Sequence, residues 1–327
     1  MKTNRMSLFA VACCAIALGI ATSCKPANRE GSATPPDSLG ALPTNVTSIP
    51  VKGRSDLLET SSATMTPSQP GIVFTINDSG NEPILFALDS TGSVRGSWRI
   101  ANADDIDWES SSHGKCLGPK AASLSCIFIG DAGDNQAHRD NVVMYQVPEP
   151  TVTNDSAQKT LAAEALVFRY PDQPHDVEAM YVSGDGTTYL ITKRKLKNSR
   201  GDLRSALVFT LPSSAWNSHE TVVATLVDSL PIVPGSAEDR TITDASLSFD
   251  SQYLAIRTYL QIYTFVTDSV TGRVVTSIAP AICNIDGVEK VRGEGVTWFG
   301  ATRSLLVNSE GLNEPMHRVT CPLPQRQ

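Results

Sequence analysis

A short acidic phrase recurs five times in this chain, each time directly before an apolar run with the composition of a β-strand. The copies are Glu59-Thr60-Ser61-Ser62, Asp107-Trp108-Glu109, Asp176-Val177-Glu178-Ala179, Asp244-Ala245-Ser246 and Glu294-Gly295-Val296. Their spacing, about 50 to 70 residues, is that of propeller blades rather than of short solenoid repeats. Between the copies, β-branched and aromatic runs alternate with Gly, Asp, Asn, Ser and Pro, as an all-β chain requires. Such runs include Gly71 to Ile76, Ile84 to Leu88, Cys126 to Ile129, Val142 to Val147, Thr188 to Thr192, Tyr253 to Thr258 and Val274 to Ile278. Ser156 to Leu166 reads as a helical turn within a loop.

Each repeat accommodates four strands, with the acidic phrase opening the innermost. The fifth repeat, from Glu294 to the C-terminus, has room for only three, and Asn45 to Lys52 is placed to supply the fourth. Closure by the two termini removes the open edge that invites aggregation. The expectation is an all-β, five-bladed β-propeller over residues 46–327, closed by an N-terminal strand. A sixth blade hidden in the long second or third repeat is the alternative.

Residues 1–24 have the form of an export signal: Lys2 and Arg5 give a positive start, and Leu8 to Ile20 is an apolar stretch too short to span a bilayer comfortably. Small residues then lead to Cys24 in Ala21-Thr22-Ser23-Cys24, which resembles the lipobox of bacterial lipoproteins, whose cysteine is acylated. An ordinary secretory signal cut nearby is the other possibility. Residues 25–45, rich in Pro, Ser, Gly and Ala, read as a flexible tether that cannot offset its chain entropy by burial. These features predict a protein of the bacterial cell envelope, extracytoplasmic and held to the membrane through its lipid alone.

The net charge is −7, and the signal carries basic groups but no acidic ones, so the remaining chain is more acidic still. That balance argues against nucleic acid, which needs a basic footprint. The one basic run, Lys193-Arg194-Lys195-Leu196-Lys197, reads as a solvated hairpin loop. Outside the signal and Cys24, four cysteines remain: Cys116, Cys126, Cys283 and Cys321. An even number in an oxidising compartment favours two disulfides, with three formal connectivities. Pairing Cys116 with Cys126 staples one loop, and pairing Cys283 with Cys321 ties the last two repeats. No Cys-x-x-Cys with a neighbouring His favours a metal site instead.

In a propeller the start of each innermost strand meets the end of its antiparallel neighbour on one face. That face gathers Glu59, Asp107, Glu109, Asp176, Glu178, Asp244 and Glu294 with Asp78, Asp131, Asp134, Lys193, Arg257 and Asn308. Three readings of this ring stand side by side. The carboxylates accept backbone N–H groups of adjacent blades and set the blade-to-blade angle. They hold a hard cation, calcium first, which takes about six to eight oxygen ligands. Or they catalyse, Glu109, Glu178 and Arg257 being the leading candidates, with close carboxylates raising one another's pKa to serve as acid and base. No nucleophile elbow, His-Glu-x-x-His or phosphate-binding loop adds weight to catalysis. His175 reads as a packing or hydrogen-bonding residue. Trp108 and Trp298, placed equivalently just inside the innermost strands of repeats two and five, read as packing between blades.

The ordered set Asn77-Asp78-Ser79-Gly80, Asp107-Trp108-Glu109, Gly130-Asp131-Ala132-Gly133-Asp134-Asn135, Val147-Pro148-Glu149-Pro150, His175-Asp176-Val177-Glu178-Ala179 and Glu294-Gly295-Val296 resembles secreted bacterial β-propeller lipoproteins of uncharacterised function. More distantly it is similar to phytase-like and TolB-like propellers. The resemblance implies the fold and calcium at the channel mouth, but no reaction. Asp107-Trp108-Glu109-Ser110-Ser111 stands where such proteins carry Asp-Trp-Glu-Asp-Ile, losing one carboxylate, and Thr60 and Ser62 replace a usual Leu and Gly. The function expected is binding of a small ligand, a cation or a protein partner of the envelope through the acidic face. A calcium-dependent hydrolase of phosphate esters, using Glu109, Asp131, Glu178 and Arg257, is the alternative. A structural envelope module is the third.

Overall fold

The inner strand runs lack helical periodicity because both of their faces are covered. In the run Leu85-Phe86-Ala87-Leu88, Leu85 and Ala87 pack toward one neighbouring sheet while Phe86 and Leu88 pack toward the other. Strands buried on both sides read as continuous apolar segments. The computed structural model describes residues 46–49, 57–118, 124–153, 158–193, 206–230, 232, 241–289, 293–300, 303–312 and 314–326. The expected export signal (residues 1–24, with Cys24), the expected tether (25–45) and residues 194–197 of the basic run lie outside these.

The described strands form five sheets. Strand β1 is Val46–Ile49. Blade I holds β2 (Thr64–Met65), β3 (Ile72–Thr75), β4 (Ile84–Asp89) and β5 (Val94–Ala101). Blade II holds β6 (Trp108–Lys115), β7 (Ser125–Asp131), β8 (Val142–Pro148) and, after β9 (Lys159–Ala162), β10 (Glu164–Arg169). Blade III holds β11 (Val177–Val182), β12 (Thr188–Thr192), β13 (Leu207–Leu211) and, after β14 (Val222–Val223), β15 (Thr225–Ser229). Blade IV holds β16 (Ile242–Leu247), β17 (Tyr253–Thr258), β18 (Gln261–Val266) and β19 (Ala281–Asn284). Blade V holds β20 (Gly293–Trp298), β21 (Ser304–Ser309) and β22 (Met316–Thr320), and β1 pairs antiparallel with β22 as its outer strand. The five-bladed propeller closed by an N-terminal strand is therefore the observed fold.

The extra length of repeats two and three builds no sixth blade. It supplies β9, which adds in parallel to the outside of blade I, and β14, which does the same for blade II. Each segment covers the outer edge of the preceding blade, the edge most open to unwanted pairing. The helical turn expected from Ser156 to Leu166 is corrected accordingly: its described residues form β9 and the start of β10. The strand expected from Val274 to Ile278 is corrected too. Val274 makes only an isolated bridge to Thr267, and the outer strand of blade IV comes later, at β19. A short 3-10 helix spans Ser213–Asn217.

Five apolar clusters hold the ring, one between each pair of neighbouring blades. Phe128 and Phe168 of blade II meet Met180 and Phe209 of blade III, for example, and Ile262 of blade IV meets Trp298 and Val307 of blade V. Both expected disulfides are present, Cys116–Cys126 and Cys283–Cys321. The second joins β19 of blade IV to the residue following β22 of blade V, beside the closing strand. Its sequence separation is 38 residues. Cross-links of this loop length stabilise by about 2–4 kcal/mol, so Cys283→Ser with Cys321→Ser is expected to lower the urea midpoint accordingly. An unchanged midpoint would mean that β1 alone secures the closure.

Candidate functional site

The innermost strand of every blade starts with an irregularity. Pairing of β6 with β7 slips by one residue between Trp108 and Ser110, leaving Glu109 as the extra residue of a β-bulge. Equivalent slips isolate Glu178, Thr243 and Glu294. In blade I the same one-residue excess lies between the Thr60–Asn77 bridge and the Thr64–Phe74 pair, and Ser61 is the residue directly after the bridge. A bulge turns its extra side chain away from the regular alternation. Ser61, Glu109, Glu178, Thr243 and Glu294 thus occupy equivalent, buried positions around one end of the channel.

This register corrects the phasing of the acidic phrases. Glu59, Asp107 and Asp176 each stand two residues before the bulge position, Glu294 occupies it, and Asp244 stands one residue after it. The equivalence of Trp108 and Trp298 is corrected for the same reason. Trp108 opens β6 opposite Asp131, whereas Trp298 closes β20 opposite Leu305, at the far end of the propeller. Both indoles do pack between blades.

The bulge residues form an inner layer. Ser61 Oγ donates to Glu109 Oε2 at 2.8 Å, and Lys193, following β12, donates its Nζ to Glu178 Oε1 at 2.5 Å. Thr243 Oγ1 donates to the Glu294 backbone carbonyl at 2.9 Å. Glu294 is 5% exposed, and its Oε2 is buried with no hydrogen-bond partner among the described residues. Burial holds the carboxyls of Glu109, Glu178 and Glu294 well above the usual range, and Lys193 pulls all three the other way. Burial by itself would lower the Lys193 pKa, but Glu178 and Glu109 more than reverse this and keep the ammonium charged.

An outer layer lies on the same mouth. Carboxylate oxygens of Asp78, Asp107 and Glu109 all fall within 4.8 Å of one another. Asp107 is raised to about 6, by burial first and then by Asp78 and Asp176. Asp105 is raised to about 8 by burial, with Asp131, Asp78 and Asp107 adding to it against the Trp108 N–H. Gly133 makes this crowding possible: a Cβ there would stand 2.6 Å from Asp107 Cγ and 2.7 Å from Glu109 Cγ.

Other expected site residues have partners within the protein. Asp131 Oδ1 accepts the Asp107 N–H at 3.0 Å and pairs with Arg139 Nη2 at 2.9 Å. Asp134 Oδ2 accepts the Arg139 N–H at 2.7 Å, and the Asp134 N–H reaches Asp176 Oδ1 at 2.9 Å, which joins blades II and III. Asp244 accepts backbone N–H groups from Ala245 at 2.8 Å, Val296 at 2.8 Å and Ala63 at 3.3 Å, tying blades IV, V and I. Arg257, fully buried, donates to the carbonyls of Gly295 at 2.7 Å and Asn308 at 3.0 Å and pairs with Glu289. Glu59 is exposed and accepts Asn81 Nδ2 at 2.8 Å. His175 packs against Tyr170 and Phe209 and contacts Asp172 Oδ1 at 3.0 Å.

The ring therefore divides into an inner Lys–Glu layer, an outer carboxylate triad and a set of inter-blade fasteners. Sequence reasoning placed Lys193 among the carboxylates of this face, but its assignment to a solvated loop is corrected, since the side chain is buried on Glu178. Asp105, Ser61, Thr243 and Glu289 were missed. Asp105 was within reach, two residues before Asp107. Glu289 lies in a loop with no repeat counterpart and left no signal.

No protein-family model matches the chain, and no curated protein does. Solved structures similar to it include a gluconolactonase of Xanthomonas campestris, with 10% identity over 85% of this chain and 89% of that one and a TM-score of 0.42. They also include the glutaminyl cyclase of Myxococcus xanthus, with 9% identity over 84% and 95% and a TM-score of 0.46. A luciferin-regenerating enzyme is similar with 9% identity over 84% and 94% and a TM-score of 0.42.

Proposed function

We propose that the acidic mouth binds a hard divalent cation, calcium first, through Asp78, Asp107 and Glu109. On this reading the protein is an extracytoplasmic, lipid-anchored binding propeller whose small ligand or envelope partner docks on that face. The observation carrying it is the approach of three carboxylates to within 4.8 Å of one another. Among the described residues none of the three has a cationic side chain in salt-bridge contact. Like charges held this close favour either protonation or a bound cation. The donor set also fits: hard oxygen ligands suit calcium, and Gly133 leaves the space in which two of them converge. Two disulfides support an oxidising compartment.

Thermal unfolding of the full-length protein, in calcium and again after chelation, tests the site. A ligand that binds only the native state at a hundredfold excess over its Kd stabilises by about 2.7 kcal/mol, or about 5 °C for a domain of this size. The shift is expected to vanish in Asp78→Asn and Asp107→Asn. Equal midpoints with and without calcium in the parent protein would remove the cation from the reading.

Metal-dependent hydrolysis is the second reading, and one observation favours it. Asp105, raised to about 8, lies among carboxyls that include Asp107, raised to about 6, and pairs of carboxyls pushed apart in pKa provide acid and base near neutrality. A bound cation would supply Lewis-acid activation of a phosphate ester. Turnover that Asp105→Asn abolishes without lowering the unfolding midpoint would establish this reading.

A further inference from the structure

At the end of the propeller opposite the carboxylates, the β16–β17 and β20–β21 hairpins enclose a cavity of about 430 Å³ between blades IV and V. Its walls are Phe249, Tyr253, Trp298 and Leu323, and its rim carries Asp250 and Arg303. The rings are held before any ligand arrives. Trp298 Nε1 donates to the Ser246 carbonyl at 2.8 Å, and the Tyr253 ring lies 6.4 Å from the indole at 42°. Arg326 places its guanidinium 5.8 Å from the Tyr253 ring and donates to the Thr267 carbonyl at 3.0 Å.

The charged groups lining the cavity are Arg303 and Asp250. Among the described residues neither Arg303 nor Arg326 forms a salt bridge. The rim's one carboxylate, Asp250, is occupied by its own turn, accepting Ser248 Oγ at 2.6 Å and the Gln252 N–H at 3.1 Å. Arg326 is not part of the lining and interacts electrostatically with Asp268, so Arg303 is the one cation among the lining residues. Its volume falls in the range of small-molecule pockets, about 300–1,000 Å³.

We propose that this cavity binds a small aromatic carboxylate, its ring against Phe249 and Tyr253 and its carboxylate on Arg303. A guanidinium fork matches a carboxylate with two parallel hydrogen bonds, and fixed aromatic walls favour a flat apolar body. Asp250, which lines the same cavity, disfavours a doubly charged phosphate. The site is separate from the acidic mouth and independent of the cation reading.

Phenylacetate, its neutral amide phenylacetamide and phenyl phosphate, titrated into the full-length protein and followed by saturation-transfer NMR, test it. The acid is expected to bind at least tenfold more tightly than the amide or the phosphate. Arg303→Gln, an exposed change expected to keep the unfolding midpoint, should reduce the acid to the level of the amide, and Arg326→Gln should weaken it less. Chelation of calcium should change nothing. The proposal is overturned if the acid does not bind, if the amide or phosphate binds equally well, or if Arg303→Gln leaves acid binding intact.

Discussion

Arg257→Met is expected to cost about 3–5 kcal/mol of folding stability, the usual result of removing one partner from a buried ion pair. Three interactions disappear together: the bonds to the Gly295 and Asn308 carbonyls and the pair with Glu289, whose side chain is 4% exposed. Burial already pushes the Glu289 carboxyl up, and Arg257 is what opposes it. Without the guanidinium, Glu289 must fold protonated or leave its site. The double variant Arg257→Met with Glu289→Leu is expected to recover much of the loss, because removing both charges also removes the desolvation cost. Urea unfolding of the two variants measures the difference. The same experiment addresses catalysis by Arg257: a well-folded Arg257→Met protein would show that the residue is not the fastener of blades IV and V.

The second large effect is expected at Lys193. Its side chain is 11% exposed and its ammonium serves Glu178 directly, with Glu109 close enough to add to the attraction. Lys193→Met should again cost about 3–5 kcal/mol at neutral pH. The loss should also depend on pH. Glu178 loses its main opposing charge, so a carboxyl already held up by burial rises further above its unfolded value of about 4.3. A carboxyl with a raised folded pKa binds protons more tightly when folded, so stability falls as pH rises from the unfolded toward the folded value. The deficit of Lys193→Met is therefore expected to be small near pH 4 and large near pH 8. Urea midpoints at the two pH values check this. Equal deficits would mean that the lysine contributes packing rather than charge. Calcium at millimolar concentration should restore part of the loss at pH 8, since the bared carboxylates become a hard-cation donor set.

The chain's own residues were sufficient to specify the propeller. Apolar runs buried on both faces, turns between them and a fifth repeat short of one strand leave few other ways to close five sheets, and Cys283 and Cys321 fall where they can tie the last two. Even the spare length in repeats two and three was visible, though not its use as the edge strands β9 and β14. The site was legible only in outline. Acidic residues at strand starts and polar residues at strand ends had to meet on one face, because antiparallel neighbours bring those ends together. Which carboxylates meet each other was decided by the bulges, each inserting one residue and turning Glu109, Glu178 and Glu294 inward while Asp244 passes to backbone N–H groups of three blades. A one-residue shift of register changes the face of every side chain beyond it, and linear spacing does not record it. Partnerships between distant segments were equally hidden. Lys193 and Glu178 meet within blade III, across the bulged start of β11. Arg257 with the Gly295 and Asn308 carbonyls and the aromatic cavity under Arg303 depend instead on how blades IV and V pack.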